Sequence, residues 1–433
     1  MRTTFTKKIE NPEFLKKQIL HWSQQFREIT FLDSNESQSK YSSYDCILAV
    51  DAFTSLQTDY FNAFEDLKIY QSTTKDWLFG YLTYDLKNDT ERLISSNKDG
   101  LDFPDLYFFQ PKKVIFIKEN QLEFHYLNMC SEEMESDYQE IIHFKMDNEI
   151  IQNEIHIQQQ ISKSDYIQKV NKILEYIQNG VIYEANFCME FFAEERTINP
   201  LNTFESLNKI SKAPFSSFFK NNKHFALSAS PERYLKKIGD KIISQPIKGT
   251  SKRFANEVDD ALSKTNLANE PKERSENIMI VDLVRNDLSK TAQKETVIVE
   301  ELCKIYSFLQ VHQMISTVTS LLKPEFSAVD VLKTTFPMGS MTGAPKISAM
   351  KIIEELEETK RGLYSGAIGY FTPENDFDFN VVIRSILYNE TQKYVSFSVG
   401  SAITSKSEPE KEYEECFLKA RAMRIVLNDK EFF

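Results

Sequence analysis

Glycine is scarce in this chain. Only 11 occur in 433 residues, well under the ~7 % usual for proteins, so the backbone seldom calls for a positive φ or a close approach. Seven of the 11 fall between Gly249 and Gly400, which puts the unusual backbone in the C-terminal part. Cysteine is sparse as well. Cys46, Cys130, Cys188, Cys303 and Cys416 are scattered, with no CxxC and no His/Cys cluster. Neither a zinc site nor a disulfide frame is suggested, and a reducing cytoplasm fits best. No window approaches the ~18 uninterrupted apolar residues of a membrane span. The N-terminal MRTTFTKKIENPEFLKKQIL lacks the apolar core of a secretory signal. A basic stripe is missing too. The net charge is −12, which argues against a nucleic-acid groove. An anionic substrate would therefore have to be met by local Arg or Lys, by backbone N–H groups or by a metal.

What is present is ordinary globular material, 41 % apolar and 27 % charged, long enough for two or three average domains or one large core. Residues 1–130 read as short strands and helices. WLFGYLTYDL (77–86) looks like a buried strand entering a polar turn, and 114–127 like a hairpin around Lys118, Glu119 and Asn120. Residues 131–163 are rich in Glu and Gln and read as a linker or surface segment. The third region, 164–428, opens with a helix capped by Ser164 and closed by Gly180; Tyr166, Val170, Ile173, Leu174 and Ile177 form its apolar face. Further helices are expected at 272–290, 345–360 and 408–427. Strands are expected at 181–192, 225–229, 364–371, 378–388 and 394–400. Helices and strands mix without strict alternation, so the class is α+β rather than a doubly wound sheet.

Several constellations carry chemistry. Glu273 and Glu276 lie three apart at the start of one helix, and Glu412 and Glu415 three apart on another, each pair on a single helical face. Joined, four carboxylates would suit Mg²⁺, which takes hard oxygen ligands and leaves positions for water and substrate. Taken singly, either pair reads more readily as solvated surface charge, which is commonplace on helices. FPMGSMTGAPKISAM (336–350) is a glycine-rich run opening a helix, where N–H groups can hold an anion. It lacks the order of a P-loop, and a plain tight turn is the other reading. Arg384 falls in an apolar strand and calls for a carboxylate partner. Tyr364 could donate its hydroxyl or simply pack. VGSAIT (399–404) ends a strand with small residues. SASPERYL puts Glu232 after a proline at a strand end. His312 lies in an apolar stretch, where a satisfied core histidine is the commoner outcome. QPIKGTSKR (245–253) places Lys248 at a strand end entering a turn: surface decoration, anion clamp or reactive amine.

Together SASPERYL, PIKGT, ENIMIVDLVRNDL, FPMGSMTGAPK, RGLYSGAIGYF, FNVVIRSI and EYEECFLKARAM resemble, in order, the chorismate-utilising enzymes: anthranilate, aminodeoxychorismate, isochorismate and salicylate synthases. The resemblance is strong over about 160–428; FLDSNES and FGYLTYDL extend it more weakly to the N-terminus. It implies packed antiparallel sheets surrounded by helices, a cytoplasmic enzyme acting on chorismate, and no membrane. PIKGT is similar to the aminodeoxychorismate branch, which feeds para-aminobenzoate and folate synthesis; the anthranilate branch typically carries alanine at position 248. The branch implies that Lys248 is a nucleophile attacking C2 of chorismate while the C4 hydroxyl leaves, with ammonia then adding at C4. For that the amine must be neutral, so its pKa should fall, as desolvation beside apolar neighbours would achieve. A lysine that merely binds a carboxylate is the alternative. By the same resemblance Glu232 is the general acid/base and His312 a ring-proximal histidine. Glu276 and Glu415 are the principal Mg²⁺ ligands, with Glu273 and Glu412 holding metal waters. Arg384, Tyr364 and the backbone at Gly400, Ser401, Ala402 and Ile403 grip the enolpyruvyl carboxylate. Thr342, Thr250 and Lys419 complete the substrate site. The chain departs from the family pattern at Glu184, in IYEAN, where Gln is common and the isochorismate and salicylate branches carry a lysine base; its role is open. GSAIT also replaces family glycines with Ser401 and Ala402. No glutaminase segment is recognisable, so ammonia is expected from a separate glutamine amidotransferase or from solution. The other readings are anthranilate synthesis, or a catalytically silent chorismate-binding subunit.

Overall fold

The computed structural model describes residues 1–37, 40–146 and 154–429. Alternation along the strands sorts side chains into two hydrophobic cores. In Cys46–Thr58, Ile47 and Ala49 enter one core while Cys46, Leu48 and Val50 enter the other. Phe218 and Phe219, and Ile386 and Leu387, divide in the same way. This is the two-residue period of a sheet buried on both faces.

Twenty strands of the described chain join one sheet, and the pairings between them are antiparallel. The sheet folds over itself, so that Tyr81 and Phe219 meet edge to face at 5.2 Å although several strands separate them in the ladder. That inner face forms one core. Helices cover the outer face and form the other, among them Pro12–Ser23, Lys163–Gln178, Pro200–Ser211 and Pro409–Val426. Tyr166, Val170 and Ile173 lie fully buried there, on the apolar face read from the sequence. The architecture is thus the α+β arrangement expected.

Local differences have local causes. Ser162, not Ser164, caps the Lys163–Gln178 helix, its Oγ accepting from the Asp165 N–H at 3.2 Å. The helix expected to reach residue 360 stops at Leu356. The single strand expected over 378–388 is two, Phe377–Val381 and Ser385–Asn389, broken where Arg384 adopts φ +54°. The 131–163 segment holds a helix, Met134–Ile142, whose Met134 and Ile141 are buried, and Ile155, Ile157 and Ile161 are buried as well. Residues 147–153 of that segment lie outside the described residues. Both cores draw residues from before position 130 and after position 164, and Leu78–Leu82 pairs directly with Ala367–Phe371.

Candidate active site

The strand Ile247–Lys252 pairs with Val311–Leu321, but its register slips between Ile247 and Thr250. Gly249 sits in the slip at φ +91°, and a Cβ there would stand 3.1 Å from the Glu273 carboxylate. Glycine is required both for the dihedral and for the approach. Beside it, Lys248 Nζ lies 3.2 Å from Oε1 of Glu184, a side chain only 1 % exposed. Glu184 starts the strand Glu184–Ala193 and is held on both edges, by Ala344 and by Thr404. Its second oxygen is buried without a hydrogen-bond partner. Burial pushes the Lys248 ammonium down, but Glu184, Glu276 and Glu232 outweigh it and hold the pKa above the ordinary lysine value. The expected drop is therefore not found, because the neighbours of the amine are carboxylates rather than apolar groups.

Glu232 fills the turn between His224–Ser230 and Arg233–Ile238. It is buried, and burial lifts its carboxyl to about 7, against hydrogen bonding by Ser340 and attraction to Lys248.

The two helices carrying the paired carboxylates, Pro271–Ser289 and Pro409–Val426, both start on proline, whose missing N–H costs nothing in a first turn. All four glutamates surround the ammonium of Lys272, raising its pKa against burial; Nζ is 3.5 Å from Glu412 and 3.9 Å from Glu276. Burial, with help from Glu273, raises Glu276 to about 7. Burial also works on Glu415, but Lys419 at 2.6 Å pulls it below the usual value. Among the described residues no three His, Cys, Asp or Glu side chains already stand in a metal-holding group. The donor chemistry nevertheless fits a hard divalent cation: four carboxylates act on the one ammonium of Lys272, and Oε1 of Glu276 is buried with no hydrogen-bond donor.

Arg384, at the strand break, is half-buried, and its guanidinium makes no hydrogen bond or ion pair among the described residues. Desolvation lowers its pKa, opposed by Tyr364 and Glu415. Tyr364 is buried with its hydroxyl 3.8 Å from Cys188 Sγ. On Tyr394–Thr404, Gly400 and Ala402 are partly exposed while Ser401 is buried with its hydroxyl 3.3 Å from Tyr166, so Ser401 turns toward the helices. A Cβ on Gly400 would come within 2.5 Å of Cys188 Sγ, and Lys419 donates to the Gly400 carbonyl at 2.7 Å.

Other expected positions are engaged elsewhere. The ring nitrogens of His312 lie 2.9 Å from Ser307 Oγ and 3.1 Å from Asp260. The side chain, 1 % exposed, braces the Glu257–Asn269 helix to its strand and makes no contact with Lys248 or Glu232. The Thr342 hydroxyl donates to the carbonyls of Met338 and Gly339. Thr250 is exposed on an open groove with Glu273. Three features went unread in the sequence: Lys272 within the carboxylate cluster, the Glu184–Lys248 pair, and the Arg361–Glu357 brace that ties the loop at Met341 to the strand at Asn186. The lysine directly before Glu273 in PKERSE was the one available signal.

Comparison with known proteins gives a consistent neighbourhood. The family model described as chorismate binding enzyme matches residues 18–424. An anthranilate synthase component I-like protein of Synechocystis is 33 % identical over 355 residues, covering 81 % of this chain and 72 % of that one. The aminodeoxychorismate synthase component 1 of Klebsiella aerogenes is 40 % identical over 259 residues, 60 % of this chain and 57 % of that protein, so the match spans little more than half the length of that relative. Among solved structures, anthranilate synthase component I of Streptococcus pneumoniae superposes with a TM-score of 0.77 at 23 % identity, covering 90 % of this chain and 95 % of that one, a likeness of fold.

Proposed function

The chain belongs to the chorismate-binding enzyme family, and on that premise we propose that it makes 4-amino-4-deoxychorismate from chorismate and ammonia, the chemistry of an aminodeoxychorismate synthase component 1. The observation that carries this reading is Lys248, an amine delivered by a glycine bulge into a pocket of carboxylates, 3.2 Å from Glu184. Relatives bearing the aminodeoxychorismate synthase component 1 name, at 36 % to 40 % identity, support it.

In this mechanism Nζ of Lys248 bonds to C2 of the ring, the double bonds shift, and the C4–O bond breaks. Glu232, with its carboxyl lifted to about 7, holds a proton in about half of the molecules at neutral pH and gives it to the departing hydroxyl. Ammonia then bonds at C4 and the amine leaves. The unpaired guanidinium of Arg384, with Tyr364 and the backbone near Gly400, suits the enolpyruvyl carboxylate. Glu276 and Glu415, backed by Glu273 and Glu412, would hold Mg²⁺, which when bound supplies positive charge for the ring carboxylate. Lys272 would have to yield its place. A glutamine amidotransferase subunit would provide the ammonia. All five cysteines are free and buried, which suits the cytoplasm, and no described helix is long and apolar enough to cross a membrane.

The test is incubation of purified protein with chorismate, Mg²⁺ and ammonium chloride, with products identified by mass. Aminodeoxychorismate is expected. Anthranilate as the main product would replace this reading with the anthranilate branch, and tight chorismate binding without turnover would make the chain a silent subunit. Lys248→Ala is expected to cut turnover at least ~10²-fold, the scale of losing one group acting in the transition state; undiminished turnover removes the nucleophile.

A further inference from the structure

We propose that Glu184 is the proton acceptor that frees the Lys248 amine for attack and returns the proton when the amine departs. This rests on the reading of Lys248 as the nucleophile.

The surroundings of the amine single out one residue. Carboxylates face it from each element packed there: Glu184 from its strand, Glu232 from the turn, Glu273 and Glu276 from the Pro271–Ser289 helix, and Glu415 from the Pro409–Val426 helix. Lys272 and Lys419 are further cations on those helices, acting with Lys248 on Glu273. Among the described residues, Glu184 alone stands at hydrogen-bond distance from Nζ, 3.2 Å. The helix glutamates crowd Lys272 instead. Glu232 is engaged by Ser340 and the Ile247 N–H, and its elevated pKa suits a proton donor rather than an acceptor. Glu184 cannot drift away, since its strand is paired on both edges at that residue. Its second oxygen is buried with no donor.

The resting pair is ammonium and carboxylate, so attack requires one proton to cross. It moves from Nζ to Oε1 of Glu184. The freed lone pair forms the C2–N bond, the two ring double bonds shift, and the C4 oxygen leaves as water with the proton of Glu232. In the second half ammonia bonds at C4, the double bonds shift back, and the C2–N pair returns to Nζ. Glu184 hands its proton back to the amine, and the new ammonium at C4 reprotonates Glu232. The balance is chorismate plus ammonia to aminodeoxychorismate plus water, with nothing else required.

Glu184→Gln keeps shape and a hydrogen-bond acceptor but cannot hold the proton. At pH 7 we expect turnover and the chorismate mass adduct on Lys248 to form about 10²-fold more slowly. Turnover should then climb about tenfold per pH unit through the alkaline range as solvent takes over deprotonation, while the unmodified enzyme stays comparatively flat. In Glu184→Ala, added formate should restore turnover. If Lys248→Ala is inactive yet Glu184→Gln keeps the rate and pH profile of the unmodified enzyme, the role of Glu184 is refuted and the nucleophile stands. If Lys248→Ala is fully active, the nucleophile fails and Glu184 with it. Should Glu184→Gln not fold, formate decides through the alanine variant, and absence of rescue counts against the proposal.

Discussion

Two arginines lie twenty-three positions apart in the chain and live in opposite circumstances. Arg361 is saturated. Its guanidinium grips both oxygens of Glu357 at 2.7 and 2.9 Å, donates to the carbonyls of Met341 and Asn186, and lies 4.4 Å from the ring centre of Tyr84. Glu357 spends what remains of its capacity on the Cys188 N–H. Arg384 has no such partner among the described residues and is held at a strand break in a left-handed conformation. The first is a completed network and the second an uncompleted one. A buried charge left uncompensated by its own chain is the mark of a place made for a ligand. The four glutamates around Lys272 belong with Arg384: charge assembled at a cost to folding and incompletely neutralised by the protein.

The contrast can be broken most forcefully at Arg361. Glu357→Gln strands a buried guanidinium and should lower unfolding free energy by about 3 kcal/mol or more, read as a shifted denaturant midpoint at unchanged slope. Stability equal to the unmodified chain would mean the brace is not what it looks like. At Arg384 the pattern should invert. Arg384→Gln removes a desolvated charge with no partner, so stability should hold or rise slightly. Chorismate affinity should fall by about 2 kcal/mol, the scale of one charge-assisted hydrogen bond to a carboxylate, which titration calorimetry would resolve. Equal losses of stability and affinity would erase the distinction between the two arginines.

A further effect concerns pH. Glu276 and Glu232 titrate near 7 in the fold and near 4.3 in an unfolded chain. Between those values the folded state binds more protons, so stability must fall as pH rises. Metal-free protein should therefore lose stability and melting temperature between pH 5 and 7.5, each of the two carboxyls contributing about 2 kcal/mol to the loss. Glu276→Gln should flatten that slope, and Mg²⁺ should flatten it in the unmodified protein. A melting temperature that climbs over this range, or ignores Mg²⁺, would contradict the cluster as drawn.

Much of this was legible in the sequence because it rests on local rules. The apolar stripe of Tyr166, Val170 and Ile173, the proline before the Glu273 helix, and the three-residue spacing of the glutamates follow from a 3.6-residue period alone. Motif order was enough to bring Glu232, Lys248, Glu276 and Arg384 under suspicion. Local rules failed at the strand over 378–388, where periodicity could not register one residue turning left-handed; at His312 they favoured a satisfied core histidine, and both ring nitrogens are indeed taken, by residues 5 and 52 positions away.

The chain by itself determined which side chains would be amphipathic-face residues, which backbone positions needed glycine, and which short runs carried titratable groups. Only the tertiary structure decided what those groups meet. Whether Lys248 would be a dry, neutral amine or an ammonium among glutamates depends on residue 184, 64 positions earlier. Electrostatic energy follows distance in space, and the folding of the sheet sets that distance.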